Sequence, residues 1–308
     1  MSTRRETLSF GLALGAAQLV RSAGVGALPA TTATPPVLKA IPSTGEKLPV
    51  VGLGTDQFRA SERDVIQAEI QRLHRLSGTV IDTAAAYGDS EELIGAAVAA
   101  LGIRDQLFLA TKLTTDESGT STRSGEESFH RSLERLQTQH IDLLQVHNLE
   151  GVEALMPLMQ KWKQAGKIRY IGITTSRVSQ HNHMVEYMRQ YPLDFVQVDY
   201  SLANRDAAAD VLPVAMQRRV AVLANIPFGF GSVLRQAQMR KLPEWAADIG
   251  VLSWSQFLLK YVISHPAVTC VIPGSTKLEH LEDNQRAARG PMPDAAVRKR
   301  MEEYWDAA

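Results

Sequence analysis

The chain has 308 residues, 33 basic and 33 acidic side chains, 44% hydrophobic residues and a single cysteine, Cys270. The neutral balance speaks against a nucleic-acid binder, which carries a basic excess or stripe. One thiol excludes an internal disulfide, a Cys-rich zinc site and an iron–sulfur cluster. The length suits either two domains or one α/β barrel of about 250 residues, and the apolar content suffices for a large core.

The chain begins Thr3-Arg4-Arg5-Glu6-Thr7-Leu8, followed by an apolar run over 10–20. That run is too short for a membrane span, which needs ~20 apolar residues. It has the size of a signal-peptide core. Paired arginines before a mildly apolar, Gly/Ala-containing run resemble a twin-arginine export signal, and Arg21 after the run fits the same pattern. The Phe usual two residues after the arginine pair is Thr7 here. The expectation is a signal over residues 1–30, cleaved after Ala27, Ala30 or Ala33. It implies a periplasmic address with no stable membrane association after cleavage. The alternative is an N-terminal extension on a cytoplasmic protein. Three basic and one acidic side chain lie in residues 1–30, which leaves 30 basic and 32 acidic ones in the remainder. Residues 31–46 read as a Thr/Pro/Ala-rich tether and the start of a hairpin.

Eight short apolar runs follow, at 50–54, 80–82, 107–112, 141–146, 170–174, 195–199, 221–224 and 268–272. Their flat hydropathy is that of strands buried on both faces. Helical stripes lie between them. Ile66, Ile70 and Leu73 recur at i, i+4 and i+7, as do Phe129, Leu133 and Leu136, and Leu155, Leu158, Met159 and Trp162 form a third stripe. Ser90 followed by Glu91 and Glu92 predicts an N-cap and an acidic first turn. Pro157 predicts that its helix starts nearby or is kinked. Strands alternating with helices predict a single (β/α)8 TIM barrel over 47–308. Residues 38–49, with Ser43-Thr44-Gly45 in the middle, predict a β-hairpin capping its bottom. No internal repeat and no second domain is visible.

In such a barrel the functional side chains lie at the C-terminal strand ends. The second strand ends in Asp82 and leads to Tyr87. The third ends in Lys112, and the fourth at His147. A tyrosine titrates near pH ~10 and is a poor acid or base at neutral pH. A neighbouring lysine ammonium favours the phenolate and lowers that value. A buried lysine needs a counter-charge, which Asp82 supplies. A histidine across the pocket can donate a hydrogen bond to a substrate oxygen. The set suits protonation of a carbonyl oxygen while a second group delivers hydride. Any one of these residues alone reads as a cap, a wall or a solvated end; the joint placement points to chemistry. A metal-dependent hydrolase is disfavoured, because the strand ends carry no His/Asp/Glu cluster for a cation.

The segment Asp82-Thr-Ala-Ala-Ala-Tyr87-Gly-Asp-Ser-Glu-Glu-Leu-Ile-Gly95 resembles the aldo/keto reductase signature. Thr111-Lys112, Gln145-Val146-His147-Asn148, Gly166-Lys167-Ile168-Arg169-Tyr170-Ile171-Gly172, Gln197-Val198-Asp199-Tyr200 and Ile272-Pro273-Gly274-Ser275 agree with further family elements in order. The likeness spans roughly residues 47–290. It implies the barrel, an Asp82-Tyr87-Lys112-His147 tetrad and NADPH-dependent reduction of a small carbonyl substrate. Tyr87 is then the general acid, tuned by Lys112 and Asp82, and His147 positions the carbonyl. The alternative is a cofactor-binding regulatory or sensor protein of the same fold.

The resemblance also implies a cofactor site. Thr174 and Thr175 stand where many members hold the nicotinamide carboxamide with a Ser-Asn pair, and Gln197 where they use a Gln. Asn225 stands where an aromatic usually stacks, followed by Pro227, Phe228 and Gly229. Ser275, Lys277, His280 and Asn284 fall at the adenosine end. Gly274 and His280 replace a Lys and an Arg that pair with the 2′-phosphate in NADPH-using relatives. Lys277 remains as a cation, and NADPH is narrowly favoured over NADH. The chain enters a helical pattern soon after His147, so the large lid of many members is absent and an open pocket is expected. Leu113, Phe228 and Phe230, with Trp245 or Trp305, are candidate substrate walls. A monomer is expected.

Overall fold

A computed structural model describes residues 34–115 and 121–307. The expected export signal and its cleavage positions lie outside the described residues.

Ten strands are described. β1 (Leu38–Ala40) and β2 (Lys47–Pro49) form an antiparallel hairpin, with Gly45 at φ 81° in its turn. β3 (Leu53–Gly54), β4 (Val80–Asp82), β5 (Phe108–Leu113), β6 (Ile141–Val146), β7 (Ile168–Thr174), β8 (Phe195–Asp199), β9 (Ala221–Asn225) and β10 (Val268–Val271) form one parallel sheet in sequential order. Parallel bridges Val51–Val271 and Gly54–Gly274 join its first and last strands, so the sheet closes as a barrel. The first run contributes only two residues to the ladder, and the rest of it acts through these bridges. The helices are α1 (Arg63–Arg75), α2 (Ser90–Leu101), α3 (Thr122–Arg135), α4 (Val152–Gln164), α5 (His181–Gln190), α6 (Val211–Arg218), α7 (Ser232–Gln238), α8 (Trp254–Ile263), α9 (Leu278–Ala287) and α10 (Ala295–Asp306). The (β/α)8 architecture read from the alternation is the one observed.

The core has two layers. Between sheet and helices, α1 buries Ile66, Ile70 and Leu73 as its stripe requires; each contributes about 1.5–3 kcal/mol by leaving water. Phe129 of α3 stacks on Trp162 of α4 with ring centroids 4.1 Å apart. Gly95 lets α2 approach the end of α3, since a Cβ there would stand 2.1 Å from the Arg135 carbonyl oxygen. Inside the barrel, Val80, Phe108, Ala110, Leu143, Tyr170, Phe195, Ala221, Leu223 and Cys270 pack against Ile41 and Leu48 of the hairpin region. The hairpin thus plugs the bottom with apolar side chains.

One local expectation needs correction. Ser90 is not the N-cap of α2: Asp89 holds that position. The Ser90 hydroxyl is buried, donating to Thr55 Oγ1 at 2.8 Å and lying 2.9 Å from Thr83 Oγ1. Pro157 sits in the second turn of α4, five residues past Val152, and leaves the Glu153 carbonyl without its i+4 amide.

Candidate active site

Strand parity selects the side chains that enter the barrel, because alternate residues share a face. Val80 and Asp82 point inward on β4, and Phe108, Ala110 and Lys112 on β5. Leu143 and Gln145 do so on β6, and His147 follows two residues on. Phe195 and Gln197 continue the pattern on β8. The apolar members fill the bottom, and the polar members crown it.

Asp82 is the centre of this crown. Its Oδ2 accepts from Lys112 Nζ at 2.6 Å, with side chains 1% (Lys112) and 4% (Asp82) exposed. Its Oδ1 accepts from Gln197 Nε2 at 2.8 Å and from Gln145 Nε2 at 3.3 Å. Gly172 makes room for Gln145, since a Cβ there would lie 3.0 Å from Gln145 Cγ. Lys112 Nζ also donates to the Thr83 carbonyl at 2.7 Å. Burial raises the Asp82 carboxyl against the pull of Lys112 and the two amides. Burial also opposes the Lys112 charge, but Asp82 and Tyr87 outweigh it and hold the ammonium above its ordinary value.

Tyr87 lies over this pair. Lys112 Nζ is 4.9 Å from its ring centroid. Lys112 does pull the hydroxyl down, as the sequence suggested. Burial is the larger effect, however, and leaves Tyr87 above its ordinary value. The His147 ring meets Tyr87 edge-on, with centroids 5.8 Å apart. Burial, aided by Lys112, lowers His147 to about 4, so its imidazole is neutral at pH ~7 and offers one N–H donor.

These groups open into a cavity of about 630 Å³. Asp82, Tyr87 and His147 line one part of it. Thr174, Gln197, Asn225, Pro227, Phe228 and Phe230 continue the wall, which reaches Gly274, Ser275 and His280. Thr174 Oγ1 donates to Gln197 Oε1 at 2.8 Å, which fixes the amide that clamps Asp82. Asn225 Nδ2 donates to the Thr175 carbonyl at 3.2 Å, and its Oδ1 is buried without a partner. Phe230 is 78% exposed at the mouth, in a left-handed conformation at φ 52°.

Several expected residues stand elsewhere. Leu113 is no substrate wall: it is the last residue of β5, fully buried in the outer core. Thr175 turns its hydroxyl to Gln180 and the Arg177 amide, and Ser176 lines the cavity instead. Gly229 shapes the turn after β9 at φ 56° without lining the cavity. Lys277 caps α9 from an exposed position, and Asn284 is buried behind the wall. Trp245 packs on Phe257 and Tyr304, and Trp305 lies under Arg240. Gln145, Thr55, Asp56 and Asn148 were not anticipated. Gln145 was legible, since it lies two residues before His147 on the same strand face.

The cavity suits a dinucleotide. It reaches from Tyr87 and His147 to Ser275 and His280, and it offers an unpartnered acceptor at Asn225. Its far end lies at the N-terminus of α9, which favours anionic groups. Among the described residues, no group of three or more His, Cys, Asp and Glu is placed to hold a metal ion, and no helix is long and apolar enough to cross a membrane.

A closed parallel barrel with an Asp-Tyr-Lys-His crown beside a nucleotide-sized cavity defines a class of barrel oxidoreductase. Residues 50–305 match the model of the aldo/keto reductase family, and the chain belongs to that family. It is 36% identical over 178 residues to the Bacillus subtilis aldo-keto reductase YhdN, covering 54% of this chain and 51% of that protein. It is 29% identical over 244 residues to the Escherichia coli methylglyoxal reductase YeaE, covering 77% and 84% respectively. A Klebsiella pneumoniae aldo/keto reductase solved in complex with NADP and acetate superposes with a TM-score of 0.71 at 28% identity, over 85% of this chain and 93% of that one.

Proposed function

We propose that the protein reduces small aldehydes, ketones or dicarbonyls to alcohols with NADPH, with Tyr87 as general acid. The observation that carries this reading is the convergence of Asp82, Tyr87 and His147 on the cavity, with buried Lys112 held against Asp82 and the Tyr87 ring. The similarity to a methylglyoxal reductase and to a barrel holding NADP supports the substrate class and the cofactor.

The residues divide the work. Thr174, Gln197, Asn225 and Ser176 would hold the nicotinamide end, and Ser275, His280 and the α9 N-terminus the adenosine end. The bound nicotinamide supplies hydride to the carbonyl carbon. Tyr87 stays protonated across neutral pH and gives its proton to the carbonyl oxygen. Lys112 stabilises the phenolate left behind, in a buried place where that attraction is weakly screened. Asp82 keeps Lys112 charged and oriented. Neutral His147 donates its N–H to the same oxygen and fixes the approach of the carbonyl.

NADPH oxidation with a panel of small aldehydes and dicarbonyls tests the reading. A protein that binds cofactor and turns over none of them would contradict it. We also propose that residues 1–30 export the folded barrel, on the strength of Arg4-Arg5 and the apolar run after them. Replacing both arginines by lysine should retain the full-length chain in the cytoplasm. Fractionation that finds wild-type chain only in the cytoplasm, unprocessed, would refute export.

A further inference from the structure

Glu69 plays no part in the chemistry above. It lies on α1, is 0% exposed, and is separated from the cavity by one side chain. That side chain is Ser275, on the cavity wall, whose Oγ lies 2.9 Å from Glu69 Oε1 and 3.0 Å from the Lys277 carbonyl oxygen and can give its hydrogen to either. The Lys277 amide donates to the same Oγ at 3.3 Å. Glu69 Oε2 is buried with no hydrogen-bond partner. An ionised carboxylate with an orphaned oxygen is unfavourable, so this position is poised to take up a proton. Burial raises Glu69 to about 7, against the Ser275 hydrogen bond and with added repulsion from Glu62.

The neighbouring elements supply no counter-charge. Arg72 of α1 pairs with Glu282 of α9 at 3.3 Å. The buried acid of α2, Glu91, accepts from Thr111 and faces Arg135. Gln285 of α9 spends its Nε2 on the Val51 carbonyl. Lys277 and His280, beside Ser275, are exposed.

We propose that Glu69 sets the preference between phosphorylated and unphosphorylated adenosine riboses of the cofactor by controlling the Ser275 hydroxyl. The proposal rests on the functional reading in one respect, that the adenosine end lies against Ser275 and His280. Ser275 has a single hydroxyl hydrogen. With Glu69 ionised, that hydrogen belongs to the carboxylate, and Ser275 offers only a lone pair, which suits a ribose hydroxyl. With Glu69 protonated, the acid donates to Ser275 Oγ, and the Ser275 hydrogen is released to the Lys277 carbonyl or, when a phosphate is present, to the more strongly accepting phosphate oxygen. An ionised Glu69 also repels a phosphate dianion across that one hydroxyl. Above about pH 7, where Glu69 is ionised in the free protein, binding of the 2′-phosphorylated cofactor therefore moves up to one proton from solvent to Glu69, and binding of the unphosphorylated cofactor moves none.

Calorimetric titration of the full chain with NADP+ and NAD+ tests this, from about pH 7 to about pH 9, in non-phosphate buffers of different ionisation enthalpy. A phosphate monoester titrates near ~6 and is a dianion throughout that range. NADP+ affinity should fall towards about tenfold per pH unit, with uptake of about one proton at the upper end. NAD+ affinity should stay flat. Glu69→Gln, of the same shape and always neutral, should abolish both the slope and the proton uptake and leave NAD+ binding unchanged. His280→Asn controls for the titratable group on the wall and should keep the slope. Proton-free NADP+ binding by the wild type, or a slope that survives in Glu69→Gln, overturns the proposal and leaves the cofactor reading standing. Failure of the wild type to bind either nucleotide overturns both.

Discussion

Replacing Lys112 by Met probes the buried ion pair on which the site is built. Met keeps most of the side-chain length and removes the charge from a group 2.6 Å from Asp82 Oδ2. Removing one partner of a buried pair costs about 3–5 kcal/mol. The orphaned carboxylate keeps Gln197 and Gln145 as donors to Oδ1, so the lower end, about 3 kcal/mol at pH ~8, is expected. Asp82 can escape its charge by binding a proton. Burial already raises its carboxyl in the intact protein, and without Lys112 it rises further. A folded-state value above the unfolded one gives stability that is full below the unfolded value and is lost as pH rises through the folded one. The loss should therefore be clearly smaller at pH ~5 than at pH ~8. Urea unfolding at the two pH values measures this. Adding Asp82→Asn removes the stranded charge and should recover most of the stability. A loss under about 1 kcal/mol at pH ~8 would refute the electrostatic account. So would a double variant no more stable than the single one.

Two further outcomes follow from single contacts. Gly95→Ala should destabilise by at least about 1–3 kcal/mol in thermal or urea unfolding, because its Cβ would stand 2.1 Å from a backbone oxygen of Arg135 that cannot yield cheaply. His147, lowered to about 4 by burial, should show no NMR titration between about pH 5 and 8. Because its folded value lies below the unfolded one, its contribution to stability is full above about pH 6.5 and declines as pH falls towards 4. An inflection near 6.5 would contradict its placement.

The barrel was legible because burial on both faces leaves an uninterrupted apolar run for each strand, and eight such runs alternate with helical stripes. The tetrad was legible because Asp82, Lys112 and His147 are polar residues that end such runs. What the sequence hides is side-chain direction beyond the strand ends. Leu113 is one residue past Lys112, and strand parity turns it outward into the core. Thr175 and Thr174 differ by the same single step, which sends one hydroxyl to Gln180 and the other to Gln197. Ser90 has an N-cap's chemistry, but the buried hydroxyls of Thr55 and Thr83 claim it. Glu69 lies outside the apolar stripe of Ile66, Ile70 and Leu73, and its partner Ser275 comes from the distant β10–α9 connection, which no local pattern shows.

Tyr87→Phe tests the central claim most directly, because it removes one oxygen and leaves the ring against His147 and Lys112. Under saturating NADPH and a small aldehyde, the rate should fall by about 100- to 10,000-fold, the usual contribution of a positioned general acid. The cofactor dissociation constant should be unchanged. Turnover at the wild-type rate would show that the proton comes from another group and that the tetrad does not perform the reduction.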